Sequence, residues 1–497
     1  MTAPTTAPSP TTPAELESIL AAATAAAGPL GALRPAERAR LLRAVADALD
    51  AAADELVPLA IEESHLAEAR LRGELTRTTF QLRLFGEVLE EGSYLEAIVD
   101  QSDPDWGMGP RPDLRRMLVP LGPVLVYAAS NFPFAFSVAG GDTASGLAAG
   151  NPIIVKAHSG HPRLSQRTGE IVRGALAEAG APDGTFDVIF SFERGVEALK
   201  DPRIKAGSFT GSIPGGRALF DIASQRPDPI PFYGELGSLN PVFVTPAAVK
   251  ARGDEIASGF VGSATLGAGQ FCTKPGLLFV PAGHGLDDAI VAAAGDVPPA
   301  SLLNKRIAEG YGEGLPKIVG TPGVTPLVEA SGVDGLVAGP TLVKTTVPVL
   351  LDNADTLLEE CFGPFSLVVE YDGQDELRRA AEAFGGNLTA TIHGEETDAA
   401  DLGWLMDLLR DRAGRILWGG WPTGVSVTYA MQHGGPWPAT TASLHTSVGT
   451  TAIRRFLRPV SYQTMPEELL PEALRDRNVL GIPRRVNGTL TKDDVSA

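Results

Sequence analysis

The chain has 497 residues and a formal net charge of −19, from 41 basic and 60 acidic side chains. A protein this acidic is not expected to bind nucleic acid non-specifically or to lie on an anionic membrane surface. Two cysteines are too few for a disulfide framework, and no apolar run reaches the roughly 18 residues that span a bilayer. The sequence therefore predicts a cytoplasmic protein of two to four domains, at about 100–200 residues per domain.

The N-terminal part predicts a tail followed by helices. Residues 1–12 have no basic region followed by an apolar run, so they predict a short disordered tail and not a secretory signal. Leu41, Val45 and Leu49 recur every four residues, which predicts an amphipathic helix. A second, more charged helical stretch follows over residues 64–91.

Short apolar runs alternate with helical stretches in the rest of the chain. The strand candidates are 116–119, 124–127, 153–155, 186–190, 206–209, 242–244, 277–280, 366–369 and 388–392. Such alternation predicts an α/β fold in which parallel sheets carry helices on both faces. The pattern restarts near residue 240, which predicts a second α/β domain. The charged tail beyond Pro483 is expected to be mobile.

The segment GAGQFCTKPG, residues 267–276, places Cys272 among glycines and small polar residues. It fails the GxGxxG dinucleotide fingerprint, because a cysteine stands in place of the last glycine. A free cysteine is commonly a buried structural thiol. The neighbouring glycines, however, expose backbone N–H groups that can lower a thiol pKa. Cys272 is therefore either a structural thiol or a nucleophile.

Two polar residues adjoin other apolar runs. Glu235 lies between glycines directly before a buried-looking strand, where a carboxylate is expected to have a raised pKa and to suit general-base catalysis on water. Its alternative is a solvated surface carboxylate. Asn131, in the stretch SNFPF, either forms a turn before Pro133 or donates an amide N–H to an oxyanion.

Together, these stretches resemble the aldehyde dehydrogenase superfamily over almost the whole chain. The matching stretches, in the family's order, are NFP at 131–133, NPIIVK at 151–156, FTGS at 209–212, ELG at 235–237, GQFC at 269–272 and EECFGP at 359–364. The resemblance implies an α/β fold with two parallel-sheet domains and a β oligomerisation region. The expected domains are a tail at 1–12, a dinucleotide-binding domain at 13–115 and 128–240, a catalytic thiol domain at 241–440, and an oligomerisation region with the C-terminal tail at 116–127 and 441–497.

The resemblance also implies a role for each site residue. Cys272 is the expected nucleophile, which attacks an aldehyde carbonyl while the Asn131 amide and the Cys272 backbone N–H hold the oxyanion. Hydride transfer to a nicotinamide ring then leaves a thioester, and Glu235 activates the water that hydrolyses it. No metal is expected. The implied cofactor-binding residues are Lys156 for the adenosine ribose, Gly211 and Ser212 for the pyrophosphate, Glu360 for the nicotinamide ribose and Phe362 beside it.

The stretch after Lys156 departs from the common family pattern. Most relatives carry an acidic residue there that holds the ribose hydroxyls, whereas this chain has His158 and Ser159. Without a carboxylate, nothing repels a 2′-phosphate, and Arg194 at the start of the next predicted helix is expected to pair with it. The chain is therefore expected to prefer NADP, with NAD as the alternative. Arg194 is otherwise a solvated helix-start residue.

Two further stretches, WPTGV at 421–425 and AMQHGGP at 430–436, resemble one branch of the family. That branch holds 2-oxoglutarate semialdehyde (2,5-dioxopentanoate) dehydrogenases and NADP-linked fatty aldehyde dehydrogenases. The first substrate is expected, and a fatty or other aliphatic aldehyde is the alternative. A coenzyme-A-acylating enzyme and a non-catalytic scaffold are further alternatives, which Glu235 and the full set of site residues disfavour. His433 is expected to shape the substrate entrance, Cys361 to be structural, and the assembly to be a homodimer or homotetramer.

Overall fold

The computed structural model of the protein describes residues 6–329 and 332–495. Its α-helices are α1 (Pro13–Ala32), α2 (Pro35–Ala51), α3 (Ala53–Ser64), α4 (Glu68–Glu91), α5 (Gly141–Ala149), α6 (Pro162–Glu178), α7 (Phe192–Lys200), α8 (Ile213–Ser224), α9 (Pro246–Thr265), α10 (Asp287–Gly295), α11 (Lys305–Val319), α12 (Val347–Asp352), α13 (Ala354–Leu357), α14 (Gly373–Ala383) and α15 (Gly403–Arg410). Its strands are β1 (Ile98–Asp100), β2 (Leu114–Pro120), β3 (Val124–Tyr127), β4 (Ile153–Lys156), β5 (Phe186–Ile189), β6 (Ala206–Thr210), β7 (Phe232–Glu235), β8 (Val242–Val244), β9 (Leu277–Pro281), β10 (Ala300–Ser301), β11 (Thr325–Val328), β12 (Val333–Asp334), β13 (Val337–Ala338), β14 (Thr341–Thr346), β15 (Phe365–Tyr371), β16 (Asn387–His393), β17 (Ala413–Trp418), β18 (Leu457–Gln463), β19 (Arg484–Val486) and β20 (Thr489–Thr491). No helix in the described ranges is both long enough and apolar enough to cross a lipid bilayer.

The N-terminal helices pack on one another and on the first sheet domain. Helices α2 and α4 lie side by side, and α4 also contacts α3 and α5. The predicted amphipathic helix is confirmed, because α2 buries Leu41, Val45 and Leu49. The predicted second helix begins later than expected, at Glu68. The reason is that His65 ends α3 in the left-handed conformation, with φ +59°.

The first parallel sheet has the strand order β5-β4-β3-β6-β7. All four pairings in it are parallel, and every residue of the central strand β3 is buried. This is the pattern of a strand that is covered on both faces by helices. The chain order reverses between β3 and β6, so a crevice is expected at the carboxyl ends of these two strands. The segments that begin at Ala128 and at Gly211 leave the sheet there.

The second sheet has seven strands in the order β11-β14-β15-β9-β8-β16-β17, and only β11 is antiparallel to its neighbour. Strands β9 and β15 are adjacent, with Leu277 opposite Leu367. Two loops, 266–276 and 358–364, therefore enter this sheet side by side. The first loop carries Cys272 and the second carries Glu360, so the topology brings the expected nucleophile and an expected cofactor residue together.

A third sheet, in the order β18-β2-β1-β19-β20, joins residues from both ends of the chain. Residues 116–127 were expected to belong to one region, but the structure divides this stretch at the turn containing Gly122. Strand β2 pairs with β18 in the third sheet, whereas β3 pairs with β4 and β6 in the first. A four-residue apolar run does not reveal which sheet it joins, because its neighbours come from distant parts of the chain.

The C-terminal segment is ordered, so the expectation of a mobile tail beyond Pro483 is wrong for the described residues. Strands β19 and β20 form a hairpin, and β19 pairs with β1. Arg484 is fully buried. Its Nη2 donates hydrogen bonds to the carbonyls of Asp476 (3.1 Å) and Asp493 (3.0 Å). These bonds tie the segment on both sides of the hairpin to one guanidinium.

The predicted N-terminal tail is also partly ordered. Residues 1–5 lie outside the described residues. The N–H of Thr11 donates to the carbonyl of Phe190 (2.8 Å), and the Thr11 hydroxyl accepts from the N–H of Phe190 (2.9 Å). Thr12 caps α1 in a reciprocal pair with Glu15. The prediction of disorder is therefore wrong at Thr11 and Thr12.

Candidate active site

The loop that carries Cys272 runs between α9 and β9, and its glycines permit close packing. Gly267 and Gly269 adopt the left-handed region, with φ +59° and +66°. A Cβ atom on Gly269 would lie 2.1 Å from the carbonyl oxygen of Gly363. A side chain at this position would therefore push the loop away from the Glu360 loop.

Lys274 connects the same two loops. Its Nζ donates hydrogen bonds to the carbonyls of Cys361 (2.8 Å), Gly363 (3.1 Å) and Phe365 (2.7 Å). Burial lowers the pKa of this amine, while Glu360 and Cys361 raise it. The three carbonyls satisfy the buried Nζ, so it acts as a brace between the loops. Cys361 itself is buried with its pKa raised to about 11, chiefly by burial, which is consistent with a structural thiol.

Three reactive side chains meet at the boundary of the two sheet domains. Glu235 is the last residue of β7, and its Oε1 lies 2.9 Å from Nε2 of His433. The same Nε2 lies 3.5 Å from Sγ of Cys272. The hydroxyl of Ser447 donates a short hydrogen bond to Oε2 of Glu235. His433 is 1% exposed, so it lies inside the site and not at its entrance, where the sequence analysis expected it.

Only one ring nitrogen of His433, Nε2, contacts Glu235 and Cys272, which limits the proton transfers that this ring can support. Because the same nitrogen, Nε2, lies near both Glu235 and Cys272, a relay through opposite ring nitrogens is not formed. Ligand atoms of the three residues lie within 4.8 Å of one another. Thiolate, imidazole and carboxylate are also the ligand types of zinc sites, so a bound metal ion would compete with the thiol chemistry. The expectation of no metal remains a prediction.

The pKa shifts at this cluster run opposite to the sequence-based expectations. Burial raises the pKa of the Cys272 thiol, and the carboxylates of Glu235 and Glu360 raise it further. Burial also raises the pKa of Glu235, but His433 and Ser447 outweigh burial and hold it below its usual value. At neutral pH Glu235 is therefore ionised and Cys272 is a thiol that needs a base.

Asn131 contacts the nucleophile loop through its side chain and helix α4 through its backbone. One of its Nδ2 hydrogens is donated to the carbonyl of Gln270 (3.1 Å), which leaves the second for a ligand. The Asn131 carbonyl accepts from Nη2 of Arg70 (2.6 Å). Oε1 of Glu74 accepts from the backbone N–H groups of residues 134 and 135, at 2.8 and 3.0 Å. Helix α4 thus fixes the segment that presents this amide.

A cavity of about 800 Å³ extends from Cys272 over the carboxyl ends of the first sheet. Its walls include all three expected catalytic residues and seven of the eight expected cofactor residues. These are Asn131, Lys156, His158, Ser159, Gly211, Ser212, Glu235, Cys272, Glu360 and Phe362. A crevice at this edge, where the strand order reverses, is the place where α/β sheets bind dinucleotides.

The adenosine end of the cavity differs from the expectation in one residue. Arg194 is not in the cavity wall, and its guanidinium pairs with Glu197 on the same helix. Arg306, in the first turn of α11, lines the cavity instead, together with Lys156 and His158. Burial lowers the pKa of Lys156, and the charge of Arg306 lowers it further. Burial, with neighbouring cations, lowers the pKa of His158 to about 3, so this ring is neutral.

The other cavity residues fit a dinucleotide. Ser212 caps the twelve-residue helix α8 by accepting from the N–H of Gly215, so this helix directs its N-terminal N–H groups at the cavity. In another part of the cavity, Glu360 packs closely against Gly237. A Cβ atom on Gly237 would lie only 2.3 Å from Oε2 of Glu360. Burial raises the pKa of Glu360 to about 7, and Lys274 opposes this shift. The N-terminus of α8 suits the pyrophosphate of a dinucleotide, and the Glu360 carboxylate suits a ribose.

Comparison with known families agrees with this geometry. The model of the Aldehyde dehydrogenase family matches residues 4–297, which is more than half of the chain. The chain belongs to the aldehyde dehydrogenase family. The aldehyde dehydrogenase is 47% identical over 460 residues to the Alpha-ketoglutaric semialdehyde dehydrogenase 2 of Azospirillum brasilense, covering 91% of this chain and 87% of that protein. It is 42% identical over 461 residues to the Alpha-ketoglutaric semialdehyde dehydrogenase of Acinetobacter baylyi, covering 92% and 88%.

Solved structures share the fold of this aldehyde dehydrogenase. Aldehyde dehydrogenase 21 from Physcomitrella patens, in complex with the reaction product succinate, matches with a TM-score of 0.77 at 21% identity, covering 93% of this chain and 92% of that chain. Methylmalonate-semialdehyde dehydrogenase from Oceanimonas doudoroffii matches with a TM-score of 0.77 at 22% identity, covering 91% of each chain. The expected fold class is confirmed.

Sequence reasoning missed several residues of the aldehyde dehydrogenase site. Ser447 and Arg306 lie in stretches without a recognised motif. The loop of His433 was singled out, but nothing in its sequence indicates that the ring is buried beside Glu235.

Proposed function

We propose that this aldehyde dehydrogenase oxidises 2,5-dioxopentanoate (2-oxoglutarate semialdehyde) to 2-oxoglutarate, with NADP as the preferred cofactor. The observation that carries the substrate is the identity of 47% and 42%, over about nine tenths of the chain, to two proteins named for this semialdehyde. The arrangement of Cys272, Glu235 and Asn131 around one end of the cavity supports the reaction class.

The first step forms a bond between Sγ of Cys272 and the aldehyde carbon. The thiol proton passes to the carboxylate of Glu235, which is ionised because its pKa is lowered. The raised thiol pKa opposes this transfer, so the transfer is coupled to formation of the carbon–sulfur bond. The Nε2–H of His433, 3.5 Å from Sγ, stabilises the thiolate that results. Attack opens the carbonyl double bond and places a negative charge on its oxygen.

The oxyanion is stabilised by two donors, the free Nδ2 hydrogen of Asn131 and the backbone N–H of Cys272. A nicotinamide cofactor bound in the cavity would supply the hydride acceptor, which takes up the electron pair of the aldehyde C–H bond. Collapse of the oxyanion then leaves a thioester on Cys272. Glu360 and Phe362 line the cavity where they would hold the nicotinamide ribose.

Hydrolysis of the thioester completes the reaction. Glu235, having lost the thiol proton to solvent, removes a proton from a water molecule, whose oxygen attacks the thioester carbon. The carbon–sulfur bond breaks, the thiolate leaves and the carboxylic acid is released. A base placed this close to the acyl group favours water over coenzyme A as the acceptor, and it argues against a coenzyme-A-acylating enzyme.

A panel of aldehydes tests the substrate. We expect kcat/KM to be highest for 2,5-dioxopentanoate, followed by the anionic 5-oxopentanoate, with hexanal and decanal at least about tenfold lower because they lack a carboxylate for a charge-assisted hydrogen bond. NADPH formation at 340 nm measures each rate. If decanal exceeds the dioxopentanoate, the fatty-aldehyde alternative replaces this proposal.

Recognition of the 2′-phosphate is proposed to rest on Arg306 and not on Arg194. Arg306 lines the cavity beside Lys156 and His158, whereas Arg194 is paired with Glu197 outside the cavity wall. The segment after Lys156 also lacks a carboxylate that would repel a phosphate.

Replacement of Arg306 with methionine is expected to weaken NADPH binding about 10- to 100-fold, because a guanidinium–phosphate interaction is lost. The dissociation constant of NADH should change less than about threefold. Titration calorimetry with each dinucleotide alone measures both, and Arg194→Met is the matched control, expected to have little effect. Equal losses for the two dinucleotides, or a tenfold preference of the unmodified enzyme for NADH, would refute the assignment.

We also propose a cytoplasmic homodimer or homotetramer. Strands β18 and β20 are the edges of the third sheet, with backbone groups available for pairing with a second copy. Both thiols are free, which suits a reducing compartment. Light scattering of the purified protein gives the mass, and a monomer would contradict the assembly.

A further inference from the structure

One face of helix α4 carries a row of polar residues toward the active site. Arg70, Glu74, Arg77 and Gln81 are spaced by four, three and four positions, so they share one side of the helix. Glu74 and Gln81 are only 5% and 1% exposed. Polar groups on the buried face of a helix cost free energy unless they have partners, so each one calls for a role.

The first two residues of this row position the Asn131 segment. Arg70 donates to the Asn131 carbonyl, and Glu74 accepts from two backbone N–H groups just beyond it. Arg70 also lies over the rings of Phe132 and Phe271, 5.1 and 4.6 Å from their centroids. Arg70 and Glu74 each form hydrogen bonds that position the Asn131 segment, although Nε and Nη1 of Arg70 and Oε2 of Glu74 have no hydrogen-bond partner among the described residues.

Arg77 is different, because its guanidinium has no hydrogen-bond or ion-pair partner among residues 6–329 and 332–495. Its Nη1 is buried without a partner, and its one contact is with the ring of Phe136, 5.3 Å from the centroid. The Phe136 ring in turn lies 6.4 Å from that of His433. Arg77 thus faces the catalytic cluster across one aromatic side chain.

The surroundings of Arg77 act on the pKa of its guanidinium. Burial lowers this pKa, whereas Glu74 and, when ionised, Cys272 and Glu235 oppose the shift. Arg415 is the other arginine whose charge reaches Cys272, but it donates to the carbonyls of Gly424 and Pro422. Unlike those of Arg70 and Arg415, the guanidinium of Arg77 forms no hydrogen bond with another described residue, so all of its donors are available.

We propose that Arg77 binds the carboxylate of the aldehyde substrate and so selects anionic semialdehydes. This inference rests on the proposed function. In 2,5-dioxopentanoate the carboxylate carbon is four carbon–carbon bonds from the aldehyde carbon, roughly 5 Å in an extended chain with bonds of about 1.5 Å. A guanidinium binds a carboxylate through two parallel N–H···O bonds, which would satisfy the unpartnered donors. The Phe136 ring keeps water from one side of this pair.

Replacement of Arg77 with methionine tests the proposal. Methionine keeps much of the apolar stem but removes the donors and the charge. We expect kcat/KM for 2,5-dioxopentanoate and for 5-oxopentanoate to fall about 10- to 150-fold, mainly through KM, as expected for loss of a charged hydrogen bond. Pentanal has the same carbon count and no charge, and its kcat/KM should change less than about threefold.

Two further variants serve as controls. Arg83→Met lies on the same helix, where Arg83 forms exposed ion pairs with Asp47 and Asp50, and it should leave all three substrates unchanged. Arg77→Lys keeps the charge without the bidentate geometry, so it should retain part of the preference for the anions. Thermal unfolding and NADPH titration of each variant establish that the fold and the cofactor site persist.

The outcomes separate this inference from the proposed function. Equal losses with pentanal and with the anions would show that Arg77 is structural, and undiminished activity on the anions would place their carboxylate elsewhere; either result overturns the inference. If Arg77→Met does not fold, a loss of anion preference in Arg77→Lys still supports it, and an unchanged preference there overturns it. An enzyme that prefers 5-oxopentanoate to the dioxo compound, and loses its preference for 5-oxopentanoate over pentanal in Arg77→Met, would refute the proposed substrate but retain the role of Arg77. A wild-type preference for pentanal over both anions would overturn both.

Discussion

Replacement of Cys272 with alanine is expected to lower kcat for aldehyde oxidation by about 10⁴-fold or more, because no other group can form the thioester. NADPH binding should be retained, since the cavity that fits the dinucleotide extends well beyond the thiol. Steady-state rates with 2,5-dioxopentanoate and calorimetric titration with NADPH measure the two effects separately.

The second thiol provides the control for this experiment. Cys361 is buried outside the wall of the cavity that Cys272 lines, so it is not expected to meet the aldehyde. Cys361→Ala should keep activity within about threefold. Intact-mass spectrometry during turnover should find an acyl adduct in the unmodified enzyme and in Cys361→Ala, but not in Cys272→Ala. An adduct on any other residue would contradict the assignment of the nucleophile.

Replacement of Glu235 with glutamine is expected to lower steady-state kcat by about 10²- to 10⁴-fold, the range for loss of a general base. The amide is nearly isosteric, but it can neither take the thiol proton nor deprotonate water. Above the intrinsic thiol pKa, where the thiolate forms without a base, a single burst of NADPH per subunit should appear, followed by slow hydrolysis. Stopped-flow absorbance at 340 nm detects the burst, and trapped acyl enzyme should accumulate on Cys272.

The variant His433→Gln tests the assignment of Glu235 as the base, through the pH dependence of kcat/KM. The ring lowers the pKa of Glu235, so the base stays ionised as the pH falls, and the acid limb of kcat/KM should lie at low pH. In His433→Gln the burial of Glu235 is no longer offset to the same extent, its pKa rises, and the acid limb should move to higher pH. A limb that moves lower, or a Glu235→Gln variant with full turnover, would contradict the assigned base.

The sequence predicted much of the fold, because alternating apolar runs and helical stretches determine an α/β architecture directly. It could not assign each strand to its sheet. Strand β3 and strand β2 are separated by a short turn, yet they join different sheets through partners that come later in the chain. The buried Arg484, likewise, looked like part of a charged mobile tail, because its carbonyl partners come from separate segments.

The sequence points to site residues that lie in local motifs. It does not show the pKa shifts that depend on burial and on partners far away in the chain. Cys272 and Glu235 lie in recognisable stretches and meet in the structure as expected. Their pKa shifts were not predictable, since the partner His433 is almost 200 residues from one and 161 from the other along the chain. Arg194 has the right chemistry but the wrong orientation, with its charge already paired to Glu197.

The brace formed by Lys274 has a consequence for how this enzyme can change. One ammonium group joins two loops whose partner residues are 87 or more positions apart along the chain, so the Cys272 sulfur and the Glu360 carboxylate keep a constant separation. The proposed contact with the substrate carboxylate, by contrast, lies on helix α4. Substitutions on that helix can therefore change which substrates bind. They leave unchanged the distance between the Cys272 sulfur and the Glu360 carboxylate, on which hydride transfer depends.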